Sequence, residues 1–224
     1  MYDLITVNAG HSPYSTGASG NGYKEHIVAR QIKDKVISGL KLVGQTCVDT
    51  TSNAKSASAV LKEQVSKCNS YHGKLKRRLD VSIHLNAGGG TGTEVLYYSQ
   101  RELSIVVSRE ISNTMGWRDR GAKERKDLYF LSETYAPAIL IEVCFIDSKE
   151  DMQKLMKNLD KVANAIVKGI TGKTVAQKEV KEPVSKGKYF RVVTGSFKDR
   201  ENAEKRVSEL KKKGFDSFID IYDK

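Results

Sequence analysis

"AILIEVCFI", residues 138–146, is a run of apolar side chains broken once, by Glu142. Nine residues suit a strand, and a strand apolar at consecutive positions is covered on both faces. Reading outward from it, "LITV" (4–7), "GQTCV" (44–48), "LDVSIHL" (79–85), "TEVLYY" (93–98) and "LYFL" (128–131) have the same character. Between them lie stretches of helical period. In 24–40, Ile27, Val28, Ile32, Val36, Ile37 and Leu40 recur on one face, and helices are also predicted over 56–71, 101–115 and 148–170. "AGGGTG" (87–92) and the polar "GWRDRGAKERKD" (116–127) read as loops. Strands joined through helices predict an α/β fold, a mainly parallel sheet flanked by helices on both faces.

Composition shifts at "GKTVAQKEVKEPVSKGK" (172–188), which is charged with mixed sign, contains a proline and lacks large apolar residues, as a linker does. Beyond it a strand (189–197), an amphipathic helix (199–214) and a second strand (217–222) make a small C-terminal βαβ unit. Two strands do not form an independently stable sheet. A two-fold pairing of such tails, one from each of two chains, solves that deficit, so a homodimer is expected.

The chain of 224 residues carries a formal net charge of +11, which suggests a polyanionic partner, either nucleic acid or a bacterial wall with its carboxylates and anionic polymers. Its three cysteines, Cys47, Cys68 and Cys144, are widely spaced and odd in number. That argues for reduced, mostly buried thiols and against a disulfide scaffold or thiolate metal site. No apolar run approaches the ~20 residues of a membrane span. The start "MYDLITVNAG" has no basic segment followed by a long apolar one, so synthesis and folding in the cytosol are expected.

Burying the unpaired carboxylate of Glu142 costs several kcal/mol. A metal ion, proton exchange with a polarised water, or a paired cation such as Arg120 would compensate. Other chemistry-bearing residues gather at the ends of the apolar runs: His11 after the first strand, Glu25 at the start of the first helix, and His84 in "SIHLNA". Ligand sites of open α/β sheets lie at such strand ends. Two histidines and a glutamate with an open fourth position suit a catalytic zinc, and a further carboxylate completes a metal-assisted hydrolase. The bland alternatives are a hydrogen-bonded core histidine for His84, a helix-dipole glutamate for Glu25 and a salt bridge for Glu142. Spacing alone leaves both sets open.

The blocks "VNAGH", "GYKEHIVARQI", "VSIHLNA", "GTEVLYY", "RGAKERKDLYFL" and "PAILIEVCFIDSKEDMQKL" occur in this order. In this the chain resembles the zinc-dependent N-acetylmuramoyl-L-alanine amidases from about residue 2 to 170. The resemblance implies an α/β fold with a mostly parallel six-stranded sheet, and cleavage of the amide between N-acetylmuramic acid and the first L-alanine of the peptidoglycan stem. It implies Zn2+ held by His11, Glu25 and His84, with Glu142 catalytic, and the glycine-rich loop lets His11 and Glu25 converge. Cys144 stands where the family usually has glycine, for which altered packing with activity retained is expected. Asn8 and Asn86 flank the histidines and are candidates for touching substrate, and Glu94 fits the family's G-x-E strand. His26 points away from the Glu25 face and is read as a non-ligand, His72 as solvated. Lys74, Lys76, Arg77 and Arg78 read as a charged surface turn.

The tail, with "VVTGSF", "NAE" and "KKKGF", resembles one half of a SPOR domain, whose complete form is ferredoxin-like and binds peptidoglycan. Tyr189, Phe190, Arg191, Phe197 and the Lys211–Lys213 run are its candidates for wall contact. The organisation expected is a zinc amidase domain over 1–172, a linker over 173–187 and a SPOR-like wall-binding unit over 188–224. Together these imply a peptidoglycan hydrolase that reaches the wall by release through a holin or by cell lysis: a phage endolysin, or alternatively a mother-cell lytic amidase of a spore-former. A zinc peptidase cutting within the stem and a non-catalytic wall-binding protein are further alternatives. Nucleic acid is set aside because the tail lacks the K/R-G-F/Y-G/A-F signature of an RNA-recognition strand, and a membrane partner is not expected.

Overall fold

The structure is a computed structural model and describes residues 2–71, 77–176, 194–215 and 217–221. In chain order the elements are β1 (Leu4–Ala9), β2 (Ser19–Gly20), β3 (Tyr23–Lys24), α1 (Glu25–Leu42), β4 (Cys47–Asp49), α2 (Ala57–Asn69), β5 (Arg78–Asn86) and β6 (Thr93–Tyr97). They continue with α3 (Arg101–Met115), β7 (Asp119–Glu124), α4 (Tyr129–Glu133), β8 (Ala138–Phe145), α5 (Lys149–Lys157), α6 (Leu159–Thr171) and α7 (Arg200–Lys212). The chain divides into two compact units, 1–177 and 178–224.

The first unit is built on a six-stranded sheet in the order β4-β1-β5-β8-β6-β7. All neighbours are parallel except β6 and β8. β1, β5 and β8 lie inside the sheet, which is why their sequences read as continuous apolar runs. On one face, Leu79, Val81, Ile83, Ile139 and Ile141 pack in a large core with Val28, Ile32 and Val36 of α1, Val107 and Ile111 of α3, and Ile166 of α6. The other face carries a smaller core, in which Leu96, Ala138 and Leu140 meet Val65 and Cys68 of α2 and Phe130 and Leu131 of α4.

Three segments of the first unit differ from expectation. The polar stretch 116–127 contains a strand, β7, at the edge of the sheet. Main-chain hydrogen bonds make a ladder whatever the side chains, and a charged edge strand resists further pairing. "LYFL" is the start of the short helix α4, not a strand, and its Phe130 and Leu131 both enter the smaller core. A four-residue apolar run does not distinguish the two states by period. The single helix expected over 148–170 is broken into α5 and α6 at Asn158, whose backbone leaves the helical region (φ −137°, ψ 31°) while its Nδ2 donates to Lys154 O.

Arg78 is buried and opens β5, where its Nε and Nη2 grip Asp80 at 3.0 Å each. It is therefore no part of a surface turn, whereas Arg77 is exposed and pairs with Asp3. His72, Lys74 and Lys76 lie outside the described residues. Cys68 and Cys144 are buried free thiols and Cys47 is half-buried. Cys144 sits in the main core, where burial raises its thiol well above the ordinary range.

The second unit contributes α7, capped by Asp199, whose side chain accepts from Glu201 N. None of its residues is buried, and Phe215, Phe218 and Ile221 are well exposed. Residues 217–221 carry no strand, contrary to expectation. A strand is defined by its ladder, and the sheets formed by the described residues do not include this segment. No described helix is long and apolar enough to cross a membrane.

Candidate active site

The sheet register builds one wall of the site. His84 of β5 is the register partner of Glu142 of β8, and Glu142 is the partner of Glu94 of β6. Side chains alternate across a strand, so these three polar residues form one row on the sheet face that carries the smaller core. His11 follows β1 in the left-handed conformation (φ 65°), strained for a residue with a Cβ. A turn holds it there, in which Ser12 Oγ accepts from Tyr14 N and Ser15 N and donates to Ala54 O.

Glu25 opens α1 but faces the site. Its Oε2 lies 3.1 Å from His11 Nε2 and accepts from Ala18 N at 2.9 Å, while its Oε1 lies 3.1 Å from His84 Nδ1 and accepts from Leu85 N at 3.1 Å. Burial pushes this carboxyl up, but the bonds from both histidines outweigh it and hold Glu25 well below the usual carboxylate range. The two imidazoles meet edge to face at 5.1 Å.

One donor atom from each of His11, Glu25 and His84 lies within 4.8 Å of the others, the grouping a metal ion requires. Imidazole nitrogen with carboxylate oxygen suits zinc, at ligand distances near 2.1 Å and hence donor spacings of about 3.4 Å in a tetrahedron. Glu142 supplies a second indication. Among the described residues its Oε2 is buried with no hydrogen-bond partner, and burial lifts its carboxyl to about 7. An orphaned acceptor within electrostatic reach of His84 and Glu25 is a place made for a proton donor such as a polarised water.

Among the described residues Glu142 forms no salt bridge: Arg120 Nε binds Glu94 Oε2 at 2.7 Å instead. Asn86 lies at the same end of β5 with its amide occupied, Nδ2 donating to Glu94 Oε1 at 2.9 Å and Oδ1 accepting from Ala87 N at 2.8 Å. Asn8 is wholly buried, with Oδ1 accepting from Ser82 Oγ at 2.7 Å, a bond that ties β1 to β5. His26 stays outside the site, its Nδ1 turned to Thr16 O. Tyr189, Phe190 and Arg191 lie outside the described residues, and Phe197 is exposed.

Two glycines matter here beyond turning the chain. A Cβ on Gly10 would stand 2.1 Å from the His84 ring, and one on Gly17 would meet Glu25 Oε2 at 2.4 Å and His11 Cδ2 at 2.5 Å. Gly17 also has φ +70°. A glycine in the sequence gives no sign that a ligand-type side chain lies against it, so only their neighbourhood to His11 pointed to them.

Clustered imidazoles and carboxylates at the strand ends of an α/β sheet give this protein a polar site whose His/Glu set could hold a metal ion. The comparisons narrow the reading. The family model for N-acetylmuramoyl-L-alanine amidase matches residues 5–172, and a SPOR domain model matches 147–220. The chain belongs to the N-acetylmuramoyl-L-alanine amidase family, and its activity is that of a peptidoglycan amidase. It is 27% identical to the sporulation-specific N-acetylmuramoyl-L-alanine amidase of Bacillus subtilis over 224 residues, covering 98% of this chain and 85% of the relative. The endolysin of Bacillus phage SPP1 is 33% identical over 184 residues, covering 76% of this chain and 65% of that one. Among solved structures, the catalytic domain of the CD27L endolysin targeting Clostridia difficile superposes with TM-score 0.68 at 28% identity, covering 78% of this chain and 99% of that domain. The SPOR match begins within the first unit, before α5, and so overlaps the amidase match.

Proposed function

We propose that His11, Glu25 and His84 hold a zinc ion, and that Glu142 is the catalytic carboxylate in cleavage of the amide between N-acetylmuramic acid and L-alanine. The observation that carries this is the unpartnered, buried Glu142 Oε2 beside a three-residue donor set. A zinc ion held by these donors would supply Lewis-acid polarisation of a water and of the lactyl carbonyl. Glu142 takes the proton of the attacking water and delivers it to the leaving nitrogen, so the C–N bond breaks to give a muramoyl carboxylate and the free amine of L-alanine. A carboxyl raised by burial is suited to both halves of that transfer, since it gains and loses a proton near neutrality. Gly10 and Gly17 let His84, His11 and Glu25 stand as close as the site needs.

In this reading the expected catalytic domain, 1–172, extends through Val175, which packs in its core, a linker follows, and 188–224 is a SPOR-like unit that holds the wall. Phe197 is a candidate for that contact, with Tyr189, Phe190 and Arg191. The tail's exposed Phe215, Phe218 and Ile221 support a homodimer through this unit, because an apolar set that no core covers among the described residues gains by pairing. A monomer in light scattering with the tail folded would overturn the dimer. The enzyme meets its substrate on lysis of the cell that made it, and likeness to a phage endolysin supports that role. Mother-cell lysis is the second reading, favoured because the sporulation-specific relative aligns through the tail as well as the head.

Turbidity loss of purified walls, with mass analysis of the released material, tests the assignment. Released stem peptides with a free L-alanine amine, lost on chelation and restored by zinc, are expected. Glu142→Gln should bind zinc stoichiometrically yet turn over roughly 10³-fold more slowly. Fragments cut within the stem would move the reading to a zinc peptidase.

A further inference from the structure

The guanidinium of Arg120 is fixed on two sides and committed on only one. Its Nε donates to Glu94 Oε2 at 2.7 Å, and its carbon stands 4.9 Å from the centroid of the Phe145 ring. Its two terminal nitrogens have no hydrogen-bond acceptor among the described residues, and the side chain is 29% exposed. Nearby arginines are spent differently. Arg125 gives Nε and Nη2 to Asp127 at 2.8 Å each, and Arg30 Nη2 sits among Ser52 O, Asn53 Oδ1 and His11 O.

Position adds to this. Glu94 is the register partner of Glu142, and the irregularity between the Thr93–Asp119 and Val95–Ala122 pairs puts Arg120 and Gly121 opposite Glu94. β7 is thus two strands from β8, or about 10 Å. An extended peptide covers that distance in about three residues.

We propose that Arg120 binds a carboxylate of the stem peptide within about three residues of the scissile amide, through its two terminal nitrogens. The proposal rests on the amidase reading of the site. A guanidinium presents parallel donors that match a carboxylate bidentately. The grip of Glu94 and the Phe145 ring orders that fork before substrate arrives, which lowers the entropy lost on binding. Glu94 cannot itself serve the substrate anion, being an acceptor. Its oxygens are spent on Asn86 and Arg120, so Glu94 acts as the positioning residue for the arginine.

The test uses the zinc-loaded full chain and two soluble muropeptides that differ only in whether the stem carboxylates are free or amidated. The wild type should favour the free acid about tenfold in kcat/KM, mainly through KM. Arg120→Gln should raise KM for the free acid about tenfold, with kcat and the amidated substrate little changed. Arg120→Lys, which keeps the charge and the fold but not the fork, should fall between. A wild type indifferent to amidation would overturn the proposal. So would variants that lose activity on both substrates by one common factor, since that marks Arg120 as only a partner for Glu94. Failure of the wild type to cleave either muropeptide would instead sink the amidase reading, and this proposal with it.

Discussion

At the scale of single residues, the site depends as much on missing atoms as on those present. His84 rests on Gly10, and the His11–Glu25 contact closes over Gly17. Gly17→Ala adds a methyl 2.4 Å from Glu25 Oε2 at a positive φ, so the carboxylate must move. Zinc affinity is expected to fall by roughly 10- to 100-fold, the range seen when ligands lose their orientation. Competition with a chromophoric chelator measures it, and an unchanged affinity would show that Glu25 is not held by this packing. The same scale explains what the chain order could not reveal. Glu94, Asn86 and Arg120 are polar residues on different elements, and nothing in their spacing says which carboxylate the arginine will choose. Strand register decides: it sets Glu94 between Arg120 and Glu142.

At the scale of elements, two ion pairs behave differently, one within β5 and one between a helix and the sheet. Asp80 is fully buried and receives Arg78 Nε, Arg78 Nη2 and Thr6 Oγ1. Burial raises its carboxyl, the arginine bonds opposing. Asp80→Ala leaves the Arg78 charge buried without a counter-charge, at a cost of about 3–5 kcal/mol. Replacing both, as Arg78→Met with Asp80→Leu, should recover most of that in urea denaturation, and strict additivity of the two changes would contradict the pairing. The second pair joins α1 to β4, with Lys33 Nζ 2.6 Å from Asp49 Oδ2. Burial pushes the Asp49 carboxyl up, but Lys33 and Thr51 outweigh it and hold it below the usual aspartate range. A carboxyl depressed in the folded state stabilises above its unfolded pKa and loses that contribution as pH falls through the folded value. Asp49→Asn is therefore expected to lower Tm at pH 7, and the gap from wild type should close below about pH 4. Circular-dichroism melts across that range would show it, and a gap independent of pH would point to packing. Element type was legible where burial was complete, as in β1, β5 and β8. It was not legible in β7, whose ladder is made by backbone, or in α4, too short to show a period.

At the scale of the whole molecule, the boundary of the first unit lies beyond the end of its last helix. Val175 is buried in the main core with its Cγ2 against Gly39, and Lys173 Nζ donates to Val43 O. The first residues of the expected linker thus belong to the head. A chain ending after 176 should be more stable than one ending after 172 by about 2 kcal/mol, the burial of one valine. Equal urea midpoints for the two would place Val175 outside the cooperative unit. The α/β class and the inner strands were legible in the order of the chain, and the four residues on which the chemistry is proposed to rest came from its resemblance to a family. Continuous burial and polar residues at strand ends both leave marks in the order of the chain. Only the tertiary structure decided that β6 opposes β8, that Arg120 takes Glu94 and leaves Glu142 Oε2 unpartnered, and that Gly10 and Gly17 are the space the site occupies. These follow from strand pairing and close packing between residues far apart in the chain, which no local pattern records.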